Sequence, residues 1–568
     1  MNGDEPQELP ARRGLTILYH GKTLLSRIDP VSHGERLGAG IPVRERTLYF
    51  CPSPLYGYGL SILLEKLDAE LHTKNSAVLC VEADEKLLKI SERALGKIET
   101  QGEGFCRLSL IRASRPDQVC AFMRETWGER VFRRIEPIRI GGGWQLFPKL
   151  YGDIETALRR ELALEWGNAI TLISLGRLYA RNLIRNLALL PASEDISSLN
   201  FGNSPILVLG AGPSMDSLLD ELSALSGKGG LDQKRFRIIC VDTCLPALHE
   251  RSVLPDLVVI LESQHWNLKD FRGARGRKIN AALDMSALPA SARVLSGKRF
   301  FFATPWTEMK LFERLVKAGI LPEIYAPLGS VGLSAVAIAL KATSGPVVIG
   351  GMDFSFSIDS YHARSTPGHT DQMIRQNRLR GTINAAAAFR EGTFTAASKT
   401  GEPVKCDPAM RKYRDIFAQV FGRDNRLVDT AGLGLSLGLK TVSFAEAFSI
   451  LNDDRAVNAQ TGSPVFPALR QIPAVFSKEN IGAFIRNEIE ILKQLRDMLS
   501  GDAALEPARL EELLDTADYL WAHFPECAGA GGRRPAGTDL GFLKRVRAEM
   551  EPFLKLWEIS NIAIYHGS

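Results

Sequence analysis

The chain has 568 residues, with 70 Lys and Arg against 65 Asp and Glu and a formal net charge of +5 at pH 7. So small an excess gives no bulk electrostatic case for a nucleic-acid partner. A hydrophobic content of 45% and a charged content of 24% are ordinary for globular protein, and the length suits roughly three or four domains at ~100–200 residues each.

Eight cysteines stand without a CxxC pair, which suits reduced thiols in a cytosolic chain. The start, Met1 to Glu8, is polar and acidic and lacks the basic and apolar regions of a signal peptide. No apolar run approaches the ~18 residues of a membrane span. The expectation is a cytoplasmic protein with no membrane partner.

Residues 1–150 read as a first α/β domain. Thr47–Cys51 predicts a strand, Pro52–Gly59 a glycine-containing loop, Leu60–Leu71 a helix and Ala77–Val81 a second strand that ends at Glu82 and Asp84. An acidic residue some twenty residues after a glycine loop is the ribose-binding pattern of nucleotide folds. This loop lacks GxGxxG and carries two prolines, which favours a degenerate Rossmann-like domain kept as a docking surface over a methyltransferase-like or dinucleotide-binding one. Residues 151–199 form a helical connector. Apolar residues recur at three- and four-residue steps over Glu155–Trp166 and Ile170–Leu190. Arg177, Arg181 and Arg185 fall on one face, expected to be solvated, and Pro191–Ser198 reads as a linker.

Residues 200–445 form a central domain that alternates strand and helix, so a mostly parallel, open α/β sheet is expected. It opens on Ile206–Leu209, Gly210-Ala-Gly-Pro-Ser214 and a helix from Met215. A strand, a tight glycine turn and a helix N-terminus make a candidate anion site. Gly210 and Gly212 allow close approach of a ligand, and Ser214 is an N-cap or phosphate donor. Phe236–Val241 is a strand ending at Asp242, and Asp256–Leu261 is another ending at Glu262. Arg299–Phe302 and Pro346–Ile349 complete the strands, the latter followed by Asp353. Gly329-Ser330 leads into an apolar helix. These polar residues lie at strand ends, where open α/β sheets bind ligands. Residues 354–405 break the rhythm with Tyr361, His362, Arg364, His369, Arg375, Arg378, Arg380 and Arg390. Such a polar insertion reads as a lid or as a solvated excursion, with part of Asp371–Phe389 helical. Asp407-Pro408 starts a helix, Arg426–Asp429 is a last strand and Thr430–Gly434 a closing loop. Residues 446–568 are helical, clearest over Asn480–Leu499, Ala508–Phe524 and Leu543–Trp557, and read as a docking or assembly domain.

The central motifs resemble the motility-associated factor (Maf) flagellin glycosyltransferases with their MptE-like central domain, and the related bacterial sialyltransferases that use CMP-sugars. The resemblance rests on Leu209–Ser214, on Cys240-Val-Asp242, and above all on Gly329–Leu340 followed by Ile349-Gly-Gly-Met-Asp-Phe354. Asp407–Gly434, Trp166 and Asn182-Leu-Ile-Arg-Asn186 fit it too. It implies transfer of a nonulosonic acid of the pseudaminic or legionaminic type from its CMP donor to Ser or Thr of flagellin, with no cofactor required. In that scheme Gly210, Gly212 and Ser214 approach the CMP phosphate or ribose. Asp242 and Glu262 bond ribose hydroxyls or the cytosine edge, and Gly329 and Ser330 bind cytidine or the sugar carboxylate. Tyr361 lines up with a tyrosine that bonds the leaving phosphate, and the insertion's arginines pair with phosphate and carboxylate. The sialyltransferase base is a His shortly before the closing helix. Val404–Asp407 has none, so His362, then His369, are the substitutes, with Asp353 a rival base or else a loop-capping carboxylate. Two alternatives stand beside this. One is an MptE-like 6-hydroxymethyl-dihydropterin pyrophosphokinase using ATP and magnesium held by Asp242, Asp256 or Glu262. The other is a non-catalytic flagellin-binding scaffold.

Overall fold

Short runs rich in Val, Ile, Leu and Phe, buried at nearly every position, pair as parallel strands because both faces of the sheet are covered. The computed structural model describes residues 5–69, 75–96, 106–128, 131–227, 235–379, 385–452, 474, 476–501, 506–528 and 534–566. The chain divides into two compact units: Met1–Ser174 with Trp521–Pro535, and Leu175–Leu520 with Ala536–Ser568.

In the first unit, β1 (Gln7–Pro10), β2 (Leu15–Tyr19) and β3 (Lys22–Thr23) form an antiparallel sheet. The strands β4 (Thr47–Pro52), β5 (Ala77–Glu82), β6 (Leu108–Arg112) and β7 (Arg134–Pro137) form a parallel sheet in the order β6-β5-β4-β7. The helix Leu60–Ala69 turns Leu60, Leu63, Leu64 and Leu67 into the core. Asp84 starts the helix Glu85–Leu95 by accepting from the Lys86 and Leu87 N–H groups, an N-cap. The two connector segments are one helix, Pro148–Leu187.

The second unit is built on a nine-stranded parallel sheet. Its strands are β8 (Glu194–Asp195), β9 (Ile206–Leu209), β10 (Arg237–Val241), β11 (Leu257–Ile260), β12 (Asn280–Asp284), β13 (Arg299–Phe302), β14 (Val347–Gly350), β17 (Leu427–Thr430) and β18 (Lys440–Val442). Their order is β18-β17-β14-β9-β10-β11-β12-β13-β8. The fold is thus α/β with a large Rossmann-like sheet. Three strands go beyond the sequence expectation. β12 reads Asn-Ala-Ala-Leu-Asp, without a β-branched residue, and β8 lies inside the stretch expected to be a linker, where it pairs with β13. β18 is three residues long. The insertion holds the helix Pro367–Arg375, the short helix Ala385–Ala388 and a hairpin of β15 (Phe394–Ala397) and β16 (Pro403–Cys406).

The helices Lys478–Ser500 and Leu540–His566 pack on each other. The helix expected over Ala508–Phe524 is shorter, Pro507–Thr516. Glu488, fully buried, accepts Arg314 Nη2 on both oxygens at 2.8 and 2.9 Å and Nε on one of them at 3.2 Å, which fastens the C-terminal helices to the sheet unit. On the face expected to be solvated, Arg177 and Arg181 are partly exposed and Arg185 is exposed, and Arg177 pairs with Glu549 at 2.7 Å.

Candidate functional site

In the sheet order, β9 has β10 on one side and β14 on the other. The chain reverses its direction of travel across the sheet there, and loops leaving adjacent strand ends separate to form a crevice. The loop after β9 carries Gly210 and Gly212. The Gly210 N–H donates to the Gly350 carbonyl at 2.9 Å, and the Gly212 N–H to the Gly351 carbonyl at 2.7 Å. A Cβ on Gly212 would lie 2.5 Å from the Asp353 carboxylate, and one on Gly210 would lie 2.6 Å from the Gly351 oxygen. The glycines are therefore required by the neighbouring loop after β14, and their N–H groups are already used. Asp353, buried, accepts the Ser214 N–H at 2.7 Å on one oxygen and the Ser214 hydroxyl on the other. Its carboxylate caps the glycine loop. Burial pushes its pKa up, against the pull of Ser214 and of Lys399. Lys399 is itself buried and donates to Asp429 at 2.8 Å. Phe354, the next residue after Asp353, holds a left-handed backbone at φ 46°.

A cavity of about 260 Å³ lies over these loops. Its walls include Gly210, Gly212, Asp353, Ser330, Tyr361 and His362. The helix Val331–Ala342 starts here. Ser330 is its N-cap residue, but its side chain makes no capping bond. The first N–H groups of a helix lack partners within it, so the positive end of the helix is directed at the cavity. Gly329 holds φ 77°, and a Cβ there would press on the Tyr413 ring at 2.9 Å.

His362 is half-buried, and its Nδ1 lies 3.3 Å from the Ala211 carbonyl. A carbonyl only accepts, so Nδ1 carries the proton and Nε2 keeps its lone pair. Burial holds the imidazole pKa below its ordinary value, so the ring is neutral at pH 7. Tyr361 packs tilted against Phe356 with ring centroids 4.7 Å apart and meets the His362 ring edge-on at 4.9 Å. Burial, then nearby Asp407, raises its phenol pKa. His369 serves its own helix: its Nδ1 accepts the Ser365 N–H. Arg364 pairs with Asp216 and Asp220, and Arg390 with Asp407. Arg380 lies outside the described residues.

A second cavity, of about 390 Å³, shares Thr243 and Val331 with the first. It is lined by Asp242, Glu262 and Asp270, by Gly329, and by Tyr179 and Trp306, whose rings tilt together at 5.4 Å. Asp242 accepts the Thr243 N–H at 2.9 Å and the Asn267 amide at 2.6 Å. The same amide nitrogen donates to Asp270 at 3.1 Å. Burial raises Asp242 to about 6; burial and the Asp242 charge raise Asp270 to about 7. Glu262 accepts the Gln264 N–H at 2.9 Å. Asp256 is at the other end of the sheet, where it accepts the Ile238 N–H and pairs with Arg237. Among the described residues no three His, Cys, Asp or Glu side chains converge to hold a metal ion.

The ten candidate residues thus meet at one sheet edge. Gly210, Gly212, Ser330, Asp353, Tyr361 and His362 line the first cavity, Asp242, Glu262 and Gly329 the second, and Ser214 braces the loop. Sequence reasoning missed Asp270, Asn267, Trp306 and Tyr179. The first two sit on a short 3-10 segment, His265–Phe271, which has no periodicity to betray it.

Residues 180–359 match the family described as 6-hydroxymethylpterin diphosphokinase MptE-like. The match ends just before Tyr361 and His362. A Treponema pallidum (strain Nichols) protein described only as uncharacterized is 28% identical over 574 residues, which cover 97% of this chain and 95% of that protein. The MAf glycosyltransferase structure from Magnetospirillum magneticum AMB-1 is similar with a TM-score of 0.55 at 15% identity, over 99% of this chain and 92% of that one. No described helix is long and apolar enough to cross a membrane. The chain therefore carries an MptE-like domain within the fold of a Maf glycosyltransferase.

Proposed function

We propose that this protein is a glycosyltransferase that moves a nonulosonic acid from a CMP donor to a Ser or Thr hydroxyl of flagellin, in support of flagellar assembly and motility. The observation that carries the reading is the pair of cavities sharing Thr243 and Val331 at the strand-order reversal. One takes the nucleotide, with its phosphate at the N-terminus of the helix Val331–Ala342 and the Ser330 hydroxyl. The other takes the sugar, whose hydroxyl and amide N–H groups donate to Asp242, Glu262 and Asp270 while its apolar face lies on Trp306. His362 Nε2 accepts the proton of the acceptor hydroxyl. The oxygen attacks the anomeric carbon, and the bond to phosphate breaks with its electron pair leaving on CMP. The Tyr361 phenol donates to the departing phosphate. Asp353 takes no proton in this scheme; it holds the glycine loop through Ser214. Donor binding and acceptor activation by these side chains call for no further cofactor.

The family match favours a second reading, a pterin pyrophosphokinase using ATP and magnesium. Asp256 is too far from Asp242 and Glu262 to share an ion with them, being at the opposite strand end. Thermal unfolding separates the readings. Saturation at about 100 times Kd adds ~2.7 kcal/mol. CMP should stabilise the protein and ATP with magnesium should not; the reverse result removes the transferase, and stabilisation by neither leaves a flagellin-binding scaffold.

A further inference from the structure

The last turns of the helix Pro148–Leu187 carry Leu175, Tyr179, Asn182 and Asn186 at steps of four, three and four residues, which puts them on one face. Leu175 and Tyr179 line the acidic cavity. Asn182 and Asn186 are fully buried. The Asn182 amide nitrogen donates to the Ser263 carbonyl at 2.9 Å and to the Ser286 carbonyl at 3.0 Å. The Asn186 amide nitrogen donates to the Met285 carbonyl at 3.0 Å and to the Ala287 carbonyl at 2.8 Å. Turning either amide over would set its oxygen against two carbonyl oxygens, so the orientation follows from the acceptors. Neither Oδ1 has a hydrogen-bond partner among the described residues.

These carbonyls belong to the turns that leave β11 and β12. Buried carbonyls need donors, and here two side chains from a helix supply all four bonds. Ser263 and Ser286 both line the acidic cavity, and Glu262 precedes Ser263. The Asn182 amide spans the two turns, so it sets the distance between them; Asn186 fixes the second turn on either side of Ser286. We infer that Asn182 and Asn186 are positioning residues that hold the Glu262–Ser263 and Met285–Ala287 turns as the wall of the acidic cavity, and so govern recognition of the sugar half of the donor. The recognition part rests on the glycosyl-transfer reading; the clamp does not.

The test uses the full chain with Asn182→Asp, which sets an oxygen against Ser263 and Ser286, and Asn182→Ser as a milder variant should the first fail to fold. Leu183→Ala, a core truncation on the same helix, is the control for a merely structural effect. Calorimetry with CMP and with CMP-pseudaminic acid gives two affinities. The Asn182 variants should weaken the CMP-sugar by about tenfold or more, the worth of one or two buried hydrogen bonds, with CMP changed less than about twofold; Leu183→Ala should leave the ratio alone. A parallel loss of both ligands, or no loss, overturns the recognition role. Hydrogen exchange decides the clamp without any ligand. Protection should fall at residues 263–265 and 286–288 with β9 and β14 unchanged, and unchanged protection overturns it. If the wild type binds neither probe, the transferase reading and the recognition role fall together, and exchange still decides the clamp.

Discussion

In the first unit, the loop after β4 turns back on itself through Ser53 at φ 49° and Leu55 at φ 54°, and both side chains are fully buried. Gly141 and Gly143 press against them: a Cβ on Gly143 would lie 2.1 Å from the Ser53 hydroxyl. Glu82, at the end of the next strand, accepts the Ser53 hydroxyl at 2.7 Å, the Tyr151 phenol at 3.1 Å and the Ala83 N–H at 3.0 Å. In the second unit the corresponding loop after β9 lies against the loop after β14, and the space above them stays open. Both sheets carry a glycine-bearing loop and an acid one strand over. A ligand crevice therefore depends less on the glycines than on whether neighbouring side chains fill the strand ends. Leu55 fills one; the helix Val331–Ala342 stands beside the other.

The sharpest break of this comparison is in activity. His362→Ala should lower turnover by about 10²–10⁴, the range for loss of a general base, with CMP affinity nearly unchanged; unaltered flagellin modification would remove His362 from the reaction. Since burial holds its pKa below the ordinary value, the free-base form prevails at neutral pH. The rate should be level at neutral pH and fall only in acid solution, as Nε2 takes a proton, with a midpoint below the ordinary imidazole value.

The next test empties the filled end. Leu55→Ala should cost about 2–5 kcal/mol in denaturant unfolding, yet CMP stabilisation should match the wild type. A gain of nucleotide binding in this variant would show that the plug alone separates the two sheets.

The smallest effect is electrostatic. Asp270 titrates near 7 in the folded protein, above an ordinary carboxylate, so the folded state holds its proton more tightly than the unfolded chain. Its burial therefore costs stability that builds as the pH rises from the ordinary carboxylate range near ~4 to about 7, is full above that, and is relieved as the pH falls back through the same window. Asp270→Asn should stabilise by about 1–3 kcal/mol at pH 8, allowing for partial solvent screening, and by almost nothing at pH 4. Glu82, raised to about 7 by burial, follows the same direction. Glu82→Gln should gain less at pH 8, because Gln cannot accept all the bonds that converge on that carboxylate. Equal gains would mean that the two acids sit in equivalent surroundings.

Much of the fold was legible along the chain. Ile206–Leu209, Leu257–Ile260 and Val347–Gly350 are buried at every position, and Arg237–Val241 at all but its first, and a short unbroken apolar run bounded by turn residues reports a central parallel strand. Asp407 could be read as an N-cap because the bond is local: it accepts the Met410 N–H three residues on. The candidate residues at strand ends could be read for the same reason, since every strand of a parallel sheet ends on one edge. The roles of the glycines could not. Gly210 and Gly212 suggest close approach of something, and the chain pattern does not say that it is the loop after β14.

What the sequence by itself determined is the set of elements, the parallel α/β class and the edge on which the polar residues gather, because period and turn chemistry act over a few residues. Tertiary structure alone decided which of two similar loop ends stays open. It also decided that Asp353 braces Ser214 from 139 residues away, that Asn267 joins Asp242 to Asp270, and that Asn182 ties two strand ends together. Each of these depends on strand order, and strand order is settled by how the whole sheet buries its faces.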